Sequence, residues 1–236
     1  MEISYLHSFN VTYKKALAIQ ESLREKIIIK DNGLLKVKII AGADISYVKN
    51  SDLFFAAVIL CDYRDMKIIE EVYSASKTVF PYIPGLLTFR EGPPLLAAFA
   101  KLKQIPDLVI FDGQGIAHPR GIGLASHMGL FLNIASIGCA KTRLVGSHAE
   151  VGEKAGSHVP LIHENRVVGA VVRTKDRVNP VFISPGQGIS LQKAVDISLS
   201  CCRGYRLPEP VRRAHIAVNR FREKYSLNQE KELIGD

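Results

Sequence analysis

Three strand-like runs in immediate succession constrain the fold of this chain more than any other feature. Val37–Tyr47, Leu53–Asp62 and Met66–Thr78 are rich in apolar and β-branched residues, and only Val48–Asp52 and Asp62–Asp65 connect them. Connections that short and polar read as hairpin turns, so the runs predict an antiparallel meander. The pattern then changes. Pro93–Lys103 reads as a helix, and Asp107–Phe111 as a short, continuously apolar strand of the kind buried in parallel sheets. A glycine-rich loop leads to a predicted helix over Leu124–Ile137, followed by candidate strands at Cys139–Val145, Val167–Arg173 and Pro180–Ser184. Ser190 is placed to cap a helix running to about Cys202, and Pro210 suits the first position of a last helix. Ahead of the meander, residues 12–27 carry Ala16, Leu17, Gln20, Leu23 and Ile27 at helical spacing, with Asn10 or Thr12 as N-cap.

This order predicts an α/β fold: a mixed sheet, antiparallel in its first three strands and parallel after them, flanked by helices. It is the element order of ribonuclease H-like proteins, an analogy of fold that does not by itself give function. The chain has 236 residues and neither repeats nor linker-like stretches, so one domain over 1–236 is expected, with the polar 228–236 as a flexible tail. No apolar run approaches the roughly 18–20 residues of a bilayer span. The first residues lack the basic and apolar regions of a signal peptide. Cys61, Cys139, Cys201 and Cys202 show no metal-ligand spacing, which fits reduced thiols in a cytoplasmic protein. A monomer without membrane attachment is expected. The net charge of +8 suits a polyanionic partner, because basic side chains release counterions from a phosphate backbone.

Candidate chemistry gathers near the ends of the predicted strands. Asp44 lies inside the apolar run Ile39–Ile45, where a carboxylate is costly unless paired or bound to a metal; the plain alternative is a strand-end aspartate bonded to nearby amides. Asp112 closes Leu108–Phe111 and precedes Gly113-Gln-Gly115, a position that often borders a ligand crevice but is also a common turn. If the first and fourth strands are neighbours, as in that fold, the two carboxylates come within shared-metal distance and repel unless a cation lies between them. Hard oxygen ligands suit Mg²⁺ or Mn²⁺ rather than zinc. Glu91, taken alone, is an ordinary first-turn glutamate. His118 follows the glycine-rich loop beyond Asp112, whereas His127 on an apolar helix reads equally well as structural. Lys141 is either a surface lysine or a group that stabilises the extra charge of a pentacovalent phosphate. Arg90, Arg120 and Arg143 are placed to contact flanking phosphates.

Phe80–Pro94 is the most informative segment. Prolines on both sides of Tyr82-Ile83 make a stiff turn with an aromatic at its tip, ill suited to a core. Such a tip suits insertion between bases, filling the gap left by an extruded nucleotide.

Seven motifs then occur in order: Gly42–Tyr47, Pro81–Pro93, Asp107–Gly121, Gly123–His127, Gly138–Lys141, Phe182–Gly186 and Arg206–Arg212. Over roughly residues 10–220 they make the chain resemble the endonuclease V (deoxyinosine 3′ endonuclease) family. The resemblance implies a ribonuclease H-like fold and Mg²⁺-dependent hydrolysis of the second phosphodiester bond 3′ to a deoxyinosine or inosine in DNA or RNA. The ends would be 3′-hydroxyl and 5′-phosphate. By the same resemblance, Asp44 and Asp112 fall on metal-binding aspartates, and Glu91 falls on a catalytic glutamate that orients water or completes the metal's coordination. Lys141 falls on an active-site lysine and His118 on a histidine near the lesion loop. Tyr82, Ile83 and Pro84 form the wedge, and backbone around Gly85, Leu87, Gly113 and Gly123 lines a hypoxanthine pocket. Two positions depart from the pattern. His215 stands where many relatives carry aspartate; it is a poorer Mg²⁺ ligand, so a water-mediated or phosphate contact is expected there. Gln187 stands where a histidine is common. A non-cleaving inosine-binding module would need a damaged carboxylate set, and another ribonuclease H-like nuclease would lack the wedge segment; both features are intact here.

Overall fold

Burial along the first strand, β1 (Ile39–Tyr47), shows how the layers are built. Ile40, Gly42, Asp44 and Ser46 face one side of the sheet and Ala41 and Ala43 the other, and all six are buried. A strand covered on both faces needs a helical layer above and below, hence its nearly unbroken apolar run. The computed structural model describes the chain except residues 2, 32–34, 50 and 235–236, and for 228–234 the backbone alone. Helix α1 (Tyr13–Arg24), capped by Thr12, precedes β1; β2 (Leu53–Asp62) and β3 (Ile68–Lys77) complete the meander. Then come α2 (Leu87–Phe99), β4 (Leu108–Phe111), α3 (Leu124–Leu132), β5 (Ala135–Ala140), β6 (His158–His163), β7 (Arg166–Val172), β8 (Val181–Gln187), α4 (Leu191–Ser200) and α5 (Glu209–Ile234).

The sheet has the order β3-β2-β1-β4-β5-β8-β7-β6. β1, β4 and β5 are parallel, while β8, β7 and β6 extend the sheet antiparallel. One face packs Ile40, Ile59, Ile110 and Ile183 against α4 and α5; the other packs Ala41, Val58, Val109 and Phe111 against α2 and α3. Asp107 accepts bonds from the amides of Lys38 and Ile39, at 2.8 and 2.9 Å, and so aligns the starts of β1 and β4.

Several features differ from the sequence expectation, beginning with the strands beyond β5, which run antiparallel rather than parallel. Helix α2 begins at Leu87 rather than Pro93, because Phe89, Leu95, Leu96 and Phe99 are buried along one continuous helix that holds Pro93 and Pro94 inside it. Helix α3 stops at Leu132, since Asn133 takes the left-handed conformation (φ 52°) that ends helices, and β5 therefore starts at Ala135 rather than Cys139. Edge strand β6 has one buried residue, Leu161, and contains Pro160, so it carries no alternating signal. Helix α5 continues to Ile234, through most of the segment expected as a tail. Cys61, Cys139, Cys201 and Cys202 are all free thiols. Among the described residues, no helix is long and apolar enough to cross a membrane.

Candidate active site

A missing side chain seats the C-terminal helix. A Cβ on Gly42 would lie 2.1 Å from the carbonyl carbon and oxygen of Pro210, so only glycine lets the start of α5 approach β1 this closely. Two residues along, Asp44 faces the same helix, and its Oδ2 meets Nδ1 of His215 at 2.7 Å. Its Oδ1 accepts from the amide of Ile45. Parallel pairing sets β4 beside β1, and the Asp112 amide donates to the carbonyl of Ala43. The expected neighbourhood of Asp44 and Asp112 is therefore present. Lys141, just past the end of β5, reaches Asp112 Oδ2 at 2.5 Å.

Asp44, Asp112 and His215 each offer a ligand atom, all within 4.8 Å of one another. Glu91 approaches from the second turn of α2, close enough to Asp44 and Asp112 to feel their charges, and is not among those three. Burial and then the charges of Asp44 and Asp112 push the Glu91 carboxyl up to about 8, against a smaller pull from Arg90. Burial and Asp44 likewise raise Asp112, opposed by Lys141. The hydrogen bond that His215 donates to Asp44 raises the histidine's pKa. Three carboxyl groups thus crowd one edge of the sheet around a single lysine. Such an oxygen-rich, under-compensated donor set fits a hard divalent cation, with Asp44, Asp112 and His215 placed to hold it.

A second cluster fixes the proline-flanked turn. Gly85 (φ +79°) ends it, and its carbonyl accepts three hydrogen bonds: from Gln20 Nε2 and His118 Nε2, both at 2.9 Å, and from the Arg120 guanidinium at 2.5 Å. His118 Nδ1 accepts from the Arg120 amide, so the ring is neutral with its proton on Nε2. Burial, and then Arg120, push its pKa down to about 4. His118 and Arg120 therefore hold the turn in place; the guanidinium expected on a phosphate is spent on Gly85 and Gln20. Ile83 packs inward beside Leu86 and Phe89, while Tyr82 remains 66% exposed at the tip.

Behind the turn lies a cavity of about 120 Å³, lined by Tyr82, Ile83, Pro84, Gly85, Leu87 and Gly123, with Gln20, Thr88, Gln114, His118, Leu124 and Leu144. Gly113 is not among its walls and packs against Leu124 instead. The Gln114 amide donates to the carbonyl of Thr142, and its Oε1 is buried without a partner. Gly115 lets this loop lie against β8: a Cβ there would be 2.1 Å from the Pro185 carbonyl oxygen, and Ser184 Oγ accepts from its amide.

Other expected residues lie elsewhere. Arg90 stacks over Phe54, 4.8 Å from the ring centroid, and Arg143 is exposed. His127 is buried and pairs with His7 at 2.7 Å, the structural role. Gln187 accepts from the amide of Ile28, away from the cluster. Gln20 was the residue to notice: an amide in the apolar stripe of α1 signals a buried polar job. Arg206 is another, clamping the carbonyls of Lys141 and Pro180.

Comparison with known proteins agrees with this geometry. The family model described as Endonuclease V matches residues 21–216. Endonuclease V of Dehalococcoides mccartyi is 46% identical over 218 residues, covering 92% of this chain and 97% of that protein. The crystal structure of endonuclease V from Bacillus subtilis has a TM-score of 0.91 at 30% identity, covering 97% of this chain and all of that one (100%). Ciona intestinalis endonuclease V, in complex with a 24mer DNA containing an inosine followed by a ribo-adenosine, has a TM-score of 0.78 at 28% identity, covering 90% and 98%. The fold is ribonuclease H-like. From its sheet edge of carboxylates to its matched sequence, the chain belongs to the endonuclease V family of phosphodiester-hydrolysing nucleases.

Proposed function

We propose that the protein is a Mg²⁺-dependent endonuclease that recognises deoxyinosine or inosine and cuts the second phosphodiester bond on its 3′ side. One observation carries this reading: the cavity behind the turn and the carboxylate cluster are built from neighbouring residues of the same two segments. Thr88 lines the cavity and Glu91 faces the cluster one helical turn along α2, while Gln114 lines the cavity two residues beyond Asp112. An extruded base and a nearby phosphate can thus be engaged together.

In this reading Tyr82 fills the gap left in the base stack, and the clasp on Gly85 keeps that tip rigid. The cavity is small beside the roughly 300–1,000 Å³ of drug-sized pockets, which suits one base. Hypoxanthine carries O6 and N1–H where adenine has an amino group and a bare N1. An acceptor such as the unpartnered Gln114 Oε1 matches the N1–H of hypoxanthine and is left unpaired by the bare N1 of adenine. Asp44, Asp112 and His215 would hold the metal. When bound, Mg²⁺ neutralises charge on the scissile phosphate and lowers the pKa of water near it. Glu91, beside Asp44 and Asp112, would orient water or complete the metal's coordination, and Lys141 offers positive charge to the developing phosphorane. One chain supplies every group, so a monomer suffices. Free, largely buried thiols suit the reducing cytoplasm.

The test uses labelled single strands of DNA and of RNA, each with one inosine, incubated with Mg²⁺ or EDTA. Metal-dependent cutting one nucleotide beyond the inosine, lost in Asp44→Ala, is expected. Tight binding without cutting would replace the nuclease reading with a recognition module.

A further inference from the structure

A groove of about 640 Å³ lies beside the cluster, between the end of β1 and the stripe of α5 that packs along it. His215 belongs to both the cluster and the groove wall. Beyond it lie Lys49 on one side, and Asn219 and Arg222 on the other; among the described residues, no aspartate or glutamate lines the groove. We propose that this groove binds the nucleic-acid strand on the 3′ side of the cut, with Arg222 and Lys49 on its phosphates.

The groove is built rather than incidental. Ser46, two residues beyond Asp44 on the same face of β1, donates to Asn219 Oδ1 at 3.0 Å and accepts from Arg222 at 2.8 Å. His215, Asn219 and Arg222 follow at spacings of four and three, one stripe of α5 laid along one face of β1. The Arg222 guanidinium is therefore fixed by the protein, and its pairing with exposed Glu223, at 3.8 Å, is a weak surface contact that a phosphate can displace. A cationic groove with fixed donors is an arrangement that tracks the backbone of a single strand without reading sequence.

The direction of the strand follows from the proposed cleavage, on which this inference rests. The base cavity lies beside the cluster through Gln114, two residues beyond Asp112, and Thr88, one helical turn before Glu91; the groove reaches the cluster through His215. A strand anchored by its inosine in the cavity and cut 3′ to it leaves along the groove.

The experiment measures binding of a labelled strand of about ten nucleotides, 5′-phosphorylated and lacking inosine, by fluorescence anisotropy between roughly 50 and 200 mM salt with Mg²⁺. Each phosphate contact in a single strand contributes about 0.7 to the salt slope, or about fivefold in affinity at 0.1 M. Arg222→Ala and Lys49→Ala should each lose that amount, Arg222→Lys should retain most of it, and Lys67→Ala, at the distant β2–β3 turn, should lose none. Unchanged affinity and slope in both alanine variants of the groove would overturn the proposal, as would an equal loss in Lys67→Ala. Failure of the inosine reading shows separately, as no cutting of the inosine strand by the unaltered protein while these differences in binding persist.

Discussion

Replacing Gly42 by alanine adds one methyl group at the tightest contact between sheet and helix. That Cβ would sit 2.1 Å from the Pro210 carbonyl and 2.5 Å from the Val211 amide nitrogen, where ordinary contact starts at 3.4 Å. The shortfall of about 1.3 Å is against backbone, which cannot rotate away, so α5 must retreat by about that distance. The retreat carries Nδ1 of His215 from 2.7 Å to beyond hydrogen-bond reach of Asp44. Overpacking of this kind costs about 1–3 kcal/mol, which for a domain of this size is roughly 2–12 °C in Tm. A displacement near 1 Å at a catalytic cluster lowers rate by about a hundredfold. Thermal denaturation, with cleavage of an inosine-containing strand at saturating Mg²⁺, measures both. Pro210→Ala should give no rescue, because the clash is with backbone atoms. A Gly42→Ala protein with unaltered Tm and cleavage would show that α5 is not seated as described.

Three further outcomes are expected. The Glu91 carboxyl has its folded pKa raised from 4.5 to about 8, so its contribution to stability is present at low pH and is lost as pH rises through that range. In EDTA, Tm should fall between those values, and Glu91→Gln should flatten part of the fall; an identical slope in the variant would refute the assignment. Glu209 behaves oppositely: Arg212 and Arg213 hold it down to about 2, so it stabilises above its ordinary 4.5 and the benefit is lost as pH falls toward 2. Acid unfolding of Glu209→Gln should accordingly be shallower over that window, as followed by circular dichroism. Gln20→Ala removes one donor to Gly85 and the acceptor of Arg120, a loss of about 1–3 kcal/mol for buried groups left unpaired. Its KM for an inosine strand should rise more than its kcat falls, and steady-state kinetics showing the reverse would argue against the clasp.

The meander and the Asp44–Asp112 pairing were legible in the sequence because both rest on local pattern: strands with short connections, and a buried strand ending in a carboxylate. The partnership of Asp44 with His215 was not, since 171 residues separate them and only the approach at Gly42 brings them together. Gln20 counted as one more position in a helical stripe, and nothing local distinguishes a clasp from a satisfied core amide. The start of α2 was misjudged for a physical reason: proline is favoured in the first turn of a helix, yet tertiary burial of Phe89 carries this helix through both prolines. Arg120 looked like a phosphate ligand because charge is visible in sequence and its direction is not.

The long separation between Asp44 and His215 has a consequence for the protein's life during synthesis. A chain emerging from its N-terminus can form the meander, β4 and β5 well before α5 exists, and so holds two carboxylates but no third ligand and no groove wall. In the proposed mechanism the cluster is complete only once the last helix has formed, and a copy truncated before α5 lacks His215.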